Sequence, residues 1–250
     1  MQVTGALYRN SMLFFLAFCA LVVWGFWRPY YSNPSGISAL LLQVHGLAMT
    51  LWCVMLVAQA YLIRTHKRSL HRLLGQASYV LAPVNVVLQT AVLWNRTPNL
   101  ERFFDQGVMS ARGFSFVSHS LGTILLFGLL YGLAVLNRRT APVHARYMVC
   151  TALPILAPAM DRIVGLYLMP GVAPYLPQVA GRPYGPFVVW LIADLIVAAL
   201  AVWDWRSERR LNVFPLVLVL FVAYQAFTIN AYRLPAWREF CGWFLGVPIA

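Results

Sequence analysis

An all-α bundle of seven membrane-spanning helices is the fold this sequence predicts, on three observations. Of its 250 residues, 61% are hydrophobic and only 10% charged, where soluble domains carry about 25% charge. Mean hydropathy is +0.69. The apolar residues fall in runs of about 20, the length that crosses a bilayer core, between breaks bearing arginine or proline. The whole chain, 1–250, reads as one polytopic transmembrane domain with its N-terminus in the cytoplasm.

The expected spans are 11–30, 38–63, 72–94, 113–136, 145–168, 186–204 and 211–231. The first ends on Arg28-Pro29-Tyr30-Tyr31 with no small-residue cleavage site, so it reads as a retained helix rather than a cleaved signal. Between the second and third lie Arg64, Lys67, Arg68 and Arg72, and His66 among them reads as a solvated loop residue. The fifth contains Pro154, Pro158 and Asp161, and a kink is expected there, since neighbouring helices can re-satisfy the carbonyls that proline frees. Trp24, Trp27, Tyr30, Tyr31, Trp94, Trp203 and Trp205 fall near span ends, as an aromatic belt does. The loops 95–112 and 170–185 are the long ones, and Pro170, Pro174, Pro177, Pro183 and Pro186 suggest a cap on that face.

Orientation follows from the loop arginines. One side carries Arg64, Lys67, Arg68, Arg72, Arg138, Arg139, Arg146, Arg206, Arg209 and Arg210 in short loops. The other carries Arg28, Arg96, Arg102, Arg112, Arg182, Arg233 and Arg238. The first set marks the cytoplasmic side, and a bacterial inner membrane is the expected location. The net charge of +12 is therefore a matter of topology and of lipid contact, and a nucleic-acid partner is excluded because the cations lie between apolar runs. Cys19, Cys53, Cys150 and Cys241 show no CxxC spacing, and no disulfide framework is expected.

Four histidines carry the functional signal. His45 and His119 lie inside the outer ends of the second and fourth spans, about 12 and 9 Å deep at a helical rise of ~1.5 Å per residue. His71 and His144 open the third and fifth spans at the cytoplasmic edge. Intramembrane ionisable groups are costly and point to function, and imidazole is a good axial ligand for haem iron. Two pairs at two depths would carry electrons across the bilayer. Small residues share these helix faces: Gly46 beside His45, Gly75 four residues after His71, Gly122 three residues after His119. Each would leave space for a macrocycle, and Arg112 and Arg162 suit its propionates. Zinc needs about four ligands in one place, and no third ligand accompanies either pair. Copper held by His45 and Met49 is a weaker alternative. Hydrogen bonding between helices is the bland role for each histidine.

The local sequences add a resemblance. His45-Gly46-Leu47-Ala48-Met49 resembles a His-Pro-x-x-Met stretch, His119-Ser120-Leu121-Gly122 a His-Ser-x-x-Gly stretch, and Pro142-Val143-His144 a Pro-x-His helix opening, all of the cytochrome b561 group. Leu70-His71-Arg72 and His144-Ala145-Arg146-Tyr147-Met148 also resemble segments of multi-pass bacterial membrane proteins. The likeness to the b561 group implies a haem-binding core over about 38–168 and two b-type haems, one on His45 and His119, the other on His71 and His144. It implies transmembrane electron transfer, a membrane oxidoreductase activity, and a redox protein or quinone as donor or acceptor.

Other readings stay open. Asp161, Arg162 and Asp194 would serve a proton or small-solute transporter; paired with Arg162 or Arg112, the two aspartates would be structural. A haem-free subunit of a larger membrane complex is the third reading. Gln59 and Gln89 are expected to hydrogen-bond between helices.

Overall fold

The computed structural model describes residues 3–32, 39–179 and 182–249, with the backbone alone for Tyr8, Pro170 and Arg182. Ser38, the expected opening of the second span, lies outside the described residues. Among the described residues seven helices are long and apolar enough to cross a membrane, and the protein is an all-α polytopic bundle. Helix α1 (Val3–Phe26) ends in a π turn, Trp27–Tyr31. Helices α2 (Leu40–Arg64) and α3 (Arg68–Arg96) form a hairpin whose turn places His66, exposed as expected, at φ +59°. Helix α4 (Ala111–Leu136) starts where Ser110 Oγ accepts from the Gly113 amide at 3.4 Å, satisfying one of the free donors of a first helical turn.

The fifth span is broken, for the reason its prolines give. Helix α5 (Ala141–Cys150) stops at Thr151 and α6 (Ala152–Ile163) resumes. Pro154 has no N–H for the carbonyl of Cys150, four residues back. The break falls at that point, and the Thr151 hydroxyl turns to the Met148 carbonyl at 2.6 Å. A π turn, Val164–Leu168, and the short α7 (Met169–Val172) complete the crossing. Helices α8 (Pro186–Glu208) and α9 (Phe214–Asn230) form the last pair of spans.

Helix α10 (Pro235–Leu245) is an element the span count omits. At eleven residues, with Arg238 and Glu239 within it, it is too short and too charged to cross. It lies instead on the opening of α4, where Cys241 and Leu245 bury against Phe114 and Val117. Beside it the two-stranded ribbon β1 (Phe104–Asp105) and β2 (Val108–Met109) hangs from the Pro248 carbonyl through the Met109 amide at 3.1 Å. A second ribbon, β3 (Gln178–Val179) and β4 (Arg182–Pro183), lies in the proline-rich loop. The cap expected from the prolines is thus shared with α10. We call its side the distal face and the opposite side the N-terminal face.

Two buried clusters fill the bundle. One joins α1, α2, α3, α4 and α6 through Phe15, Phe18, Trp52, Leu56, Ala82, Phe127 and Ile155. The other joins α4, α5, α8 and α9 through Leu130, Tyr147, Cys150, Val197 and Phe214. Lipid supplies no hydrophobic drive between helices, so close approach depends on small residues. Gly25 of α1 is such a place: a Cβ there would stand 2.4 Å from the Ala159 carbonyl oxygen of α6.

Candidate functional site

Helices α2 and α4 run in the same direction, and a ring contact fixes their register. Trp52 packs edge-on against Phe127 at 5.1 Å and Tyr131 at 5.5 Å. His45 stands seven residues before Trp52, and His119 eight before Phe127. Offsets of seven and eight return to the same helix face. Both histidines therefore sit about two turns above the Trp52 plug, towards the distal face, at the matched depth the sequence predicts.

Their side chains are engaged differently from the sequence expectation. His119 is buried with both ring nitrogens taken: Nδ1 is 2.5 Å from the Tyr224 hydroxyl, and Nε2 is 3.2 Å from Asp161 Oδ2. A carboxylate only accepts, so Nε2 carries the hydrogen and Nδ1 accepts from the tyrosine. Trp190 and Tyr224 flank the imidazole at 5.9 and 6.1 Å. His45 Nδ1 is buried with no hydrogen-bond partner among the described residues, and the charge of Arg162 reaches its ring. The spaces at the two glycines are filled. A Cβ on Gly46 would strike the Tyr30 ring and one on Gly122 the Tyr224 ring, at 2.3 and 2.2 Å. The glycines admit tyrosines where the sequence suggested a macrocycle.

The carboxylates also find partners other than those expected. Asp161 pairs with His119 rather than with an arginine, and Asp194 accepts from Gln225 Nε2 at 3.0 Å. Arg162 gives Nη1 to the Pro158 carbonyl at 2.6 Å and lays its guanidinium over Phe26 at 4.2 Å. Arg112 stands in the first turn of α4. Around His119 several polar atoms are enclosed without a hydrogen-bond partner among the described residues: Asp161 Oδ1, Tyr184 Oη, Trp190 Nε1 and Thr228 Oγ1. Tyr184 belongs to the loop before α8, and burial together with the Asp161 charge holds its phenol above the ordinary range.

The second level lies towards the N-terminal face. His71 and His144 each stand in the first turn of their helices, α3 and α5. His144 Nδ1 is 2.8 Å from the Ala134 carbonyl. A carbonyl cannot donate, so Nδ1 carries the hydrogen, and Nε2 of the neutral ring keeps its lone pair. His71 lies within electrostatic reach of His144 and beside the Gln59 main-chain carbonyl, and its Nδ1 is buried without a partner among the described residues. A Cβ on Gly75 would meet only Gln59 Nε2, at an ordinary 3.5 Å. Above this level Ser78 and Tyr131 share a 2.7 Å hydrogen bond. His144 is thus anchored on main chain through Nδ1, and His71 keeps a buried nitrogen without a partner among the described residues.

The two levels answer a haem differently. At the N-terminal level His71 Nδ1 has no partner among the described residues, and a Cβ on Gly75 would meet Gln59 Nε2 at an ordinary distance. At the distal level Asp161 and Tyr224 occupy His119 and tyrosine rings occupy the glycine spaces. Among the described residues no group of three or more His, Cys, Asp or Glu gathers as a metal site. Comparison with family models, curated proteins and solved structures finds no match for this chain.

One buried network escapes sequence reasoning altogether. Arg146, counted above among the loop cations, is fully enclosed. It grips Asp204 in a two-pronged contact at 2.8 and 2.6 Å and reaches Glu208 at 3.1 Å, Thr4 at 3.2 Å and the Pro142 carbonyl at 2.9 Å. The available signal is the scarcity of acid: with seven Asp and Glu in the chain, each one at a span end is a partner in waiting. Tyr224, Trp190 and Tyr184 carry no motif, and nothing in the sequence marks them.

Proposed function

We propose that this protein is a membrane electron carrier that binds a b-type haem between His71 and His144, in the half of the bundle nearer the N-terminal face. The observation that carries this is the 2.8 Å contact from His144 Nδ1 to the Ala134 carbonyl. It fixes the tautomer and leaves Nε2 as the ligand atom. His71, with a buried nitrogen lacking a partner, supplies the second. Haem iron provides one-electron chemistry, with its potential tuned by ligands, burial and hydrogen bonds. The chain's own contribution is position and exclusion of water. The Ala134 carbonyl holds the His144 imidazole in place, Gly75 keeps side-chain bulk away, and the Trp52, Phe127 and Tyr131 rings close the bundle above. The resemblance to the b561 group supports the same assignment through Pro142-Val143-His144.

The arginine distribution supports an N-terminal face in the cytoplasm, and a bacterial inner membrane is the location we propose. The haem would then exchange electrons with a cytoplasmic-side partner, either a redox protein or a quinone.

The test is a reduced-minus-oxidised visible spectrum of purified protein supplied with haem. An alpha band of b type is expected, lost in His71→Ala and in His144→Ala and retained in His66→Ala. A folded, haem-supplied protein without that band, or a band that survives His144→Ala unchanged, ends the proposal.

A further inference from the structure

At the distal rim, the seam between α1 and the fifth span brings two arginines to one level. We propose that Arg28 and Arg162 together bind the phosphate of one anionic phospholipid, whose acyl chains lie against the exposed Leu16, Val23 and Trp24 of α1.

Both elements run from the N-terminal to the distal face, and the close approach of Gly25 to Ala159 sets their register. Arg28 and Arg162 each stand three residues beyond that contact, so they reach the rim together. The stacking crosses the seam in both directions. Arg162 of α6 lies over the Phe26 ring of α1 at 4.2 Å, and Arg28 lies over the Tyr167 ring of the fifth span at 5.7 Å. Trp24 packs on Tyr167 at 5.9 Å. The π turn that bears Arg28 is pinned to α2: the Tyr30 hydroxyl donates to the Gln43 carbonyl at 3.2 Å, and the Tyr31 hydroxyl is 2.9 Å from Thr50 Oγ1. The two guanidinium groups are therefore held in position before any ligand arrives.

Stacking engages the face of a guanidinium and leaves the N–H groups on its edge to bond in the plane. Among the described residues Arg28 gives no side-chain hydrogen bond, and Arg162 spends one N–H on the Pro158 carbonyl. Neither lies within ion-pair distance of a carboxylate there; Asp161, next to Arg162, is turned to His119. Arg102 adds a third cation within electrostatic reach of Arg162. Even with Glu101, the sequence neighbour of Arg102, counted beside Asp161, three cations face two carboxylates and the seam stays positive. A phosphate diester brings one negative charge and oxygens that suit two guanidinium forks. A zwitterionic lipid carries the same phosphate with a cation attached, which a positive seam disfavours. Both arginines are exposed, beside the belt of Trp24, Trp27 and Tyr30 at the level of the headgroups. Lipid reaches them directly from the bilayer.

The experiment is native mass spectrometry of the full chain in detergent, titrated with phosphatidylglycerol or with phosphatidylcholine of the same acyl chains. A single phosphatidylglycerol is expected to bind at least about fivefold more tightly than phosphatidylcholine, and Arg28→Gln and Arg162→Gln should each weaken it about fivefold, the effect of one basic side chain at an anionic headgroup. Arg96→Gln, which removes an exposed arginine at the distal end of α3, should leave it unchanged. Equal affinity for the two lipids overturns the proposal, and so does an equal loss in Arg96→Gln. Inorganic phosphate at millimolar concentration should not displace the lipid; displacement would make this a site for free phosphate and overturn the lipid assignment. Should Arg162→Gln fail to fold, Arg28→Gln, in the exposed turn, decides alone, and wild-type affinity in that variant ends the proposal. The haem spectrum of the other level has no bearing on any of these outcomes.

Discussion

Arg146 shows how much one side chain decides in this bundle. A guanidinium has five N–H donors, and the five contacts to Asp204, Glu208, Thr4 and Pro142 use all of them. The cluster ties α1, α5 and α8 together at the N-terminal face. Removing one member of a buried pair leaves an uncompensated charge, at a cost of about 3–5 kcal/mol, while replacing both with apolar residues is often far cheaper. Arg146→Leu and Asp204→Leu are each expected to lower the melting temperature in detergent substantially, and the double variant to lose less than the sum. Strict additivity in that cycle would mean the two groups do not interact. Arg146→Lys is not expected to rescue, because an ammonium lacks the planar fork that two carboxylates and a carbonyl share.

At the scale of elements, close contact between α1 and α6 rests on one missing carbon. Gly25→Ala would place a methyl 2.4 Å from a main-chain oxygen, and backbone cannot swing aside as a side chain can. Overpacking of this kind costs about 1–3 kcal/mol. Gly5→Ala on the same helix meets nothing within 4 Å and serves as the control. The expected result is a lower melting temperature for Gly25→Ala alone; equal behaviour of the two would show that the helices do not meet as described. The same contrast explains what the sequence could and could not reveal. Spans follow from local composition, and so did the seven crossings, the kink before Pro154 and the shared depth of His45 and His119. Partners across the bundle leave no local trace. Tyr224 meets His119 from 105 residues away and Asp204 meets Arg146 from 58, and neither distance is a period of any helix. Gly46 and Gly122 were legible as gaps, but what fills a gap is a tertiary fact. Helix α10 was hidden because its eleven residues satisfy neither the length nor the charge of a crossing helix.

The whole molecule has two unlike halves, and their functions depend on which half faces the cytoplasm. The N-terminal half holds His71 and His144, the proposed haem ligands, and the distal half holds His119 between Asp161 and Tyr224. Loop cations argue for the N-terminal face inside, ten in short loops against seven in longer ones. Arg146 weakens that count physically, since it is neutralised within the bundle, yet Arg138 and Arg139 remain in the exposed turn after α4. Cysteine labelling in whole cells settles the matter cleanly, because the native thiols should stay silent. Cys53, Cys150 and Cys241 are buried, Cys19 lies within α1, and burial pushes the Cys241 thiol up to about 12, where little thiolate forms near neutrality. Asp105→Cys, exposed on the distal ribbon, is expected to react with a membrane-impermeant maleimide on intact cells. Thr140→Cys, exposed in the turn before α5, is expected to react only after lysis. The opposite pattern would invert the molecule, put the proposed haem level outside, and require an electron partner from the other compartment.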